Sequence, residues 1–243
     1  HKYSGENVTY RLNVTKLIDK LTLSLSEATG VRHPDLYVLH GGNPGSSFYN
    51  GSFKAMLTTK PETSLTRELY AGYNFSDNIS FGTTAYKGSV SDVLNRSNNS
   101  GGYNETLEIK QEGLESSFIF KVNNQKLELT NTLSKSLEGS GRPQLRRPEK
   151  EYGVDYNATL NSSYIGSYGI NLNYRHVGKA EDWVGSFRKD VDSTDIVNLS
   201  LSKKLFGMEW RLRGTNLTDE YYQKPYGYNQ ERRNFNLSLI SKY

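Results

Sequence analysis

Residues 168–175 read Tyr-Gly-Ile-Asn-Leu-Asn-Tyr-Arg. Tyr168, Ile170, Leu172 and Tyr174 take every second place, and Gly169, Asn171, Asn173 and Arg175 take the places between. A period of two puts these sets on opposite faces of a β-strand. One face is oily and the other hydrophilic. Such a strand either covers a soluble core or stands in a membrane wall, apolar side to lipid and polar side to a watery lumen.

The same alternation recurs along the chain. Val8, Tyr10, Leu12 and Val14 form one apolar row; Leu21, Leu23 and Leu25 form the next. Further rows are Leu69–Phe75, Ile79–Ala85, Phe118–Val122, Leu127–Leu133, Tyr152–Leu160, Val197–Leu201, Met208–Leu212 and Phe235–Tyr243. With 168–175 these make about eleven strands, and no segment shows a helical period. The connections alternate in length. Short ones fall near 17–19, 76–78, 123–125, 161–163 and 204–207; long ones fall near 29–64, 89–102, 138–148, 177–192 and 216–232. In an antiparallel meander all short turns then lie at one end and all long loops at the other. That asymmetry belongs to an outer-membrane barrel, and a soluble sandwich has no reason for it.

Composition agrees. Hydrophobic residues make up 35% of the 243, too few to fill a large soluble core, yet 18 are tyrosine, which argues against disorder. No apolar run of about 20 residues is present, so a transmembrane helix is excluded. Cysteine is absent, which removes disulfides and cysteine-ligated zinc. The four histidines show no metal-ligand spacing, so neither a metal nor a cofactor is expected. The net charge of +4 is spread among interspersed acids and bases, which gives nucleic-acid binding little support.

Arg11, Asn13, Asn171, Asn173, Arg175, Glu209, Arg211 and Arg213 are expected to border the lumen. The apolar rows are expected to face lipid, where backbone groups must pair with one another and the sheet must close. Tyr10, Tyr73, Tyr152, Tyr174 and Trp210 are candidates for interfacial girdles, although aromatics also favour strands in general. The last strand ends on the short-turn side, so the C-terminus is expected to be periplasmic. Counting back, the first strand also descends. Bacterial single-chain barrels have an even number of strands, so further strands are expected upstream.

The segment 211–243, RLRGTNLTDEYYQKPYGYNQERRNFNLSLISKY, resembles the C-terminal end of TonB-dependent outer-membrane receptors. Asn216, Leu217, Asp219, Tyr221 and Tyr222 match that family's Asn-Leu-x-Asp-aromatic segment, and Phe235 to Tyr243 its last strand. The family usually ends in Phe; this sequence has Tyr243. Gly30, Arg32, Pro34, Leu36 and Leu39 fit a second motif, with Val38 where Glu is usual. Pro61, Glu62 and Glu68 fit a third. Within the family, residues 85–94, 143–152 and 225–235 are similar to segments of the cobalamin receptors.

The resemblance implies residues 1–243 as the C-terminal part of a receptor barrel. These would be about eleven strands, an open half, of a roughly 22-stranded all-β up-and-down transmembrane barrel. The N-terminal plug and TonB box of the family are not in this sequence. Implied partners are a scarce, bulky small molecule (cobalamin or an iron chelate), membrane lipid and lipopolysaccharide, the TonB complex through the N-terminal region, and the barrel assembly machinery through the last strand. The implied location is the bacterial outer membrane. Substrate contacts carry over to Arg146, the first arginine of a Leu-Arg-Arg run, and to Tyr228 of Gly-Tyr-Asn, where the family has Gln in the last place. Trp183 is the nearest aromatic for a third contact. The plainer readings are a rim charge for Arg146 and a solvent-facing loop aromatic for Tyr228.

Three alternatives stay open. A siderophore or haem receptor of the same family differs only in its loops. A soluble all-β carbohydrate-binding module would need the apolar rows packed inward. An outer-membrane enzyme lacks any Ser-His-Asp arrangement, and Glu149, Glu151 and Asp155 sit in no recognisable glycosidase setting. The Asn-x-Ser/Thr triplets, such as 7–9 and 216–218, reflect abundant Asn and Ser; several fall inside strands.

Overall fold

The computed structural model describes residues 6–33, 60–96, 103–162, 166–184 and 187–241. Eleven strands form one antiparallel sheet in which every strand pairs with its neighbours in order. They are β1 (Arg11–Ile18), β2 (Leu21–Arg32), β3 (Glu62–Ser76), β4 (Ile79–Arg96), β5 (Tyr103–Val122), β6 (Gln125–Glu138), β7 (Lys150–Ser162), β8 (Gly166–Val177), β11 (Thr194–Leu205), β12 (Met208–Thr215) and β13 (Asn234–Ser241). β9 (Ala180–Val184) and β10 (Phe187–Val191) make a separate two-stranded hairpin between β8 and β11.

Register carries the two-faced pattern across the sheet. On one face Leu237 lies opposite Leu212, Leu212 opposite Leu201, Leu201 opposite Ile170, and Ile170 opposite Ala158. One residue along, on the other face, the series is Asn236, Arg213, Ser200, Asn171, Asn157 and Lys126. A slip of one residue in any pair would exchange the faces, so alternation and pairing specify the same register. All eight residues expected to border the lumen lie on the polar face.

Among the described residues nothing covers the apolar face. Among the described residues only Ala158 is a buried hydrophobic, while Leu12 is 60% exposed and Leu237 61%. A soluble sandwich packs two inner faces against each other; among the described residues this sheet is a single layer with its oily side bare, and the sandwich form of the soluble module is set aside.

The apolar band has an upper edge. Glu27, Arg67, Lys87, Glu112 and Lys135 are successive cross-strand partners on the apolar face of β2 to β6. Between Glu112 and the turn at Asn123 lie residues 113–122. That is the length of about 9–11 residues that a tilted strand needs to cross a bilayer core. Tyr73 and Trp210 sit on this face toward the short turns, and Tyr10, Tyr152 and Tyr174 toward the other end.

Turn chemistry sets the short end. Phe206 and Gly207 both take positive φ (53° and 76°), as a two-residue type I′ turn requires. Asp19 and Asn123, both at φ 50°, use residues that tolerate the left-handed region. The long end departs from expectation in two places. Residues 89–102, read as a connection, are largely strand: β4 runs to Arg96 and β5 starts at Tyr103, with register shifts near Val93. Residues 177–192 contain the β9–β10 hairpin. Polar strands that rise above a membrane lose the apolar row that marks them in sequence. The second motif from Pro34 onward and the terminal Tyr243 lie outside the described residues.

Leu199→Arg, in the middle of the apolar band, is expected to destabilise the membrane-inserted full-length protein by about 2–4 kcal/mol. Ser200→Arg, one residue on and facing the other way, is expected to cost under about 1 kcal/mol. Chemical unfolding in lipid vesicles measures both; equal costs would contradict the assignment of the faces.

Candidate functional site at the long-loop end

The polar face is lined by short amides rather than long charges alone. Asn171 Nδ2 donates to Asn157 Oδ1 (2.5 Å), Asn173 Nδ2 to Asp155 Oδ1 (2.8 Å), and Asn198 Nδ2 to Asn173 Oδ1 (3.1 Å). With Arg211 and Arg213 these side chains border an open recess of about 770 Å³. The ladder continues upward: Asn198 Oδ1 accepts the backbone N–H of Asn216 at 3.0 Å, where the 216–233 loop leaves β12.

Above it, still on the polar face, is a second cavity of about 470 Å³. It is lined by Arg175 and Ile196 of the wall together with Arg146, Asp182, Tyr222 and Lys224. Arg175 is held by Glu151 (Nη2 to Oε2, 2.6 Å). Its walls come from the 139–149 segment, the β9–β10 hairpin and the 216–233 loop.

Polar staples join these three segments in place of a hydrophobic core. Arg188 of β10 donates through Nη1 to Pro143 O (2.6 Å) and Glu181 Oε2 (2.8 Å), and through Nη2 to Glu138 Oε2 (2.8 Å). Lys189 Nζ donates to the Tyr226 hydroxyl at 2.6 Å and stands 4.7 Å from that ring's centre. Arg146 has φ 61°; its N–H donates to Glu181 O (2.8 Å) and its Nε to Asp182 Oδ1 (2.8 Å). Asp182 Oδ2 accepts the Tyr226 N–H at 2.9 Å.

The Asn-Leu-x-Asp segment closes the base of the last loop. Asn216 is 4% exposed. Its Nδ2 donates to Glu220 O (2.8 Å) and Glu231 O (3.1 Å), and its Oδ1 accepts the Glu220 N–H (2.8 Å). Asp219 accepts two bonds from the Arg232 fork (2.9 and 2.8 Å) and the Arg233 N–H (3.0 Å). The Arg232 guanidinium, and then the Arg233 amide, hold the Asp219 carboxyl well below the usual carboxylate range. Both Asn216 and Asp219 have positive φ, 49° and 57°, which suits Asn and Asp.

Of the three residues singled out in the sequence, Arg146 lines the 470 Å³ cavity. Tyr228 stands 69% exposed at the tip of the loop whose base lines it, braced by Tyr228 N–H to Pro225 O (3.0 Å) and Lys224 N–H to Tyr228 O (3.0 Å). Trp183 pairs through its backbone with Arg188 on the hairpin; its side chain lies outside the description. Asp182, which accepts from Arg146 and from the Tyr226 N–H, was not visible in the sequence. The Gly185-Ser186 pair between two short alternating runs was the available signal for its hairpin. Among the described residues no three His, Asp or Glu side chains converge as a metal site would need.

The fold is similar to that of solved outer-membrane receptors. The siderophore receptor PirA from Acinetobacter baumannii superposes with a TM-score of 0.77 at 17% identity, over 98% of this chain and 41% of that one. The ferripyoverdine receptor of the Pseudomonas aeruginosa outer membrane gives 0.76 at 12%, over 95% and 32%. The ferric-catecholate import receptor Fiu from E. coli K12 gives 0.71 at 15%, over 95% and 34%. The chain thus spans about a third to two-fifths of the length of these receptors. At such identities the likeness establishes the fold alone, a stretch of transmembrane β-barrel wall. No family model matches the sequence, and no curated protein matches it.

Because its folded-state pKa is depressed, Asp219 stabilises the loop fully above the unfolded carboxylate value and loses that effect only as pH falls through the lower, folded one. Protection of the Arg233 amide from hydrogen exchange, corrected for intrinsic rates, is therefore expected to persist down to about pH 4. Asp219→Ala is expected to abolish it already at neutral pH. Asn216→Ala leaves the Glu220 amide without its acceptor and is expected to cost about 1–3 kcal/mol, read as protease nicking of 216–233.

Proposed function

We propose that this chain forms the C-terminal part of the barrel of a TonB-dependent outer-membrane receptor, a transporter and not an enzyme. One observation carries the reading. A single-layer sheet, oily on one face and amide-lined on the other, gathers three long loops over a cavity at one end of its polar face. In a membrane this sets a ligand mouth at the outer surface above an aqueous lumen. The short turns, and with them the end of β13, then lie on the periplasmic side. Energised release would come from the inner-membrane TonB complex acting through the N-terminal region of such receptors.

The favoured cargo is cobalamin, on the strength of residues 143–152 and 225–235, which supply Arg146 and Tyr228. These two, with Trp183 on the facing hairpin, are the proposed contacts. A ferric siderophore is the second reading, supported by the cargo of the three solved receptors. Either ligand suits a mouth of apolar wall with a few fixed polar groups, since bulk supplies contact area and polar groups fix orientation.

The full-length protein carrying this segment, purified in detergent, is to be titrated with cyanocobalamin and with a ferric catecholate. Saturable cyanocobalamin binding is expected, weakened about tenfold or more by Arg146→Ala or Tyr228→Ala, a loss of at least about 1.4 kcal/mol each. Ferric catecholate binding alone would move the cargo to iron chelates. Binding of neither would remove the ligand reading of the cavity.

A further inference from the structure

We infer that Asp182 is the positioning residue of this mouth, one buried carboxylate that sets both Arg146 and the loop bearing Tyr228. The inference rests on the reading of Arg146 and Tyr228 as ligand contacts.

Asp182 is 1% exposed, the largest fully buried side chain among the described residues. A carboxylate so placed is tolerated only when its oxygens are occupied by strong donors. Its two oxygens are taken by different loops: Oδ1 by Arg146 Nε at 2.8 Å, Oδ2 by the Tyr226 N–H at 2.9 Å. Tyr226 is two residues from Tyr228, inside the hairpin closed by the Gln223–Asn229 bridge. Loop 139–149, the β9–β10 hairpin and loop 216–233 therefore share one anion.

The contrast with Arg188 separates positioning from plain stapling. Arg188 is 15% exposed and spends its Nη groups on three acceptors. Arg146, from the 139–149 segment of the same cluster, stays 64% exposed against its 1% exposed partner. Asp182 holds Nε, while the Nη groups make no other hydrogen bond among the described residues and the side chain lines the cavity. A guanidinium anchored by one donor keeps its remaining fork for a planar or anionic ligand group. A pure staple would be covered as Arg188 is. Its fixed geometry also lowers the ordering cost of binding.

The test uses the full-length protein and its Asp182→Ala, Asp182→Asn, Arg146→Ala and Asp182→Ala/Arg146→Ala variants. Retained folded-barrel mobility on unheated gels selects variants for comparison. Hydrogen exchange at the Tyr226 amide is expected to quicken at least tenfold in Asp182→Ala and to change less than threefold in Arg146→Ala. In Asp182→Asn, which keeps an acceptor, it should change little. Whichever of cyanocobalamin or ferric catecholate the wild type binds, Asp182→Ala and Arg146→Ala should each weaken it about tenfold. The double variant should be no worse than about thirtyfold, because both changes break one unit. Losses that multiply to a hundredfold, or an unchanged Tyr226 amide in Asp182→Ala, would overturn the inference. Should the wild type bind neither probe, the ligand reading of Arg146 and Tyr228 fails. Faster Tyr226 exchange in Asp182→Ala would then still support Asp182 as the holder of the loops, and unchanged exchange would overturn that too.

Discussion

In hydrocarbon no water is present to satisfy a backbone N–H or C=O, so each must find a partner within the protein. The ordered meander of this sheet answers that constraint. Each strand of the eleven-stranded sheet between its two edges, β1 and β13, pairs on both sides, and pairing proceeds in chain order, so local hairpins build the whole wall. With backbone polarity satisfied strand to strand, side chains are left one task, to match the medium they face. Leu201, Ile170 and Leu212 meet lipid; Ser200, Asn171 and Arg213 meet water. No packed interior is required, which reconciles so few buried apolar residues with a well-formed sheet.

That division explains why the wall was legible in the sequence. Alternation over residues 168–175 or 208–213 reports the face directly, and the short turns carry their own residues, such as Asn123 and Gly207. The strand count of the sheet and the polar-face residues agree with the structure. Legibility stops at the top of the apolar band. Above the row of Glu27, Arg67, Lys87, Glu112 and Lys135 both faces of a strand meet water, so β4 and β5 continue with no oily stripe to betray them. The β9–β10 hairpin is hidden for the same reason.

The loops are held by chemistry that leaves little trace in a single sequence. Arg188 reaches acceptors up to 50 residues away, and Asp182 ties Arg146 to Tyr226 across 36 and 44 residues. Such pairings become visible only when the strands have placed the loop bases side by side. Arg146 and Tyr228 were reached through resemblance of short segments, and Asp182, which relates them, was not. Asn216 and Asp219 lie between these cases. Their motif could be read, but its work, fastening the two ends of a loop, needed the geometry.

Low identity beside close superposition follows from the same physics. A lipid-facing position needs only to be apolar and a lumen-facing one only to be polar, so most wall positions carry about one bit of constraint. Sequences can then drift to 12–17% identity while TM-scores stay above 0.7. Positions that resist such drift should be those with a geometric duty. The turn at Phe206-Gly207 needs positive φ, the loop base needs a side chain with the donors and acceptor of Asn216, and Asp182 must offer two oxygens in two directions. In the proposed receptor, cargo choice would rest with the loops above them, where the exposed Tyr228 side chain can be exchanged without disturbing any backbone pair. A wall that asks for polarity alone, and loops braced by a few buried polar groups, leaves the proposed ligand specificity free to change while the barrel stays the same.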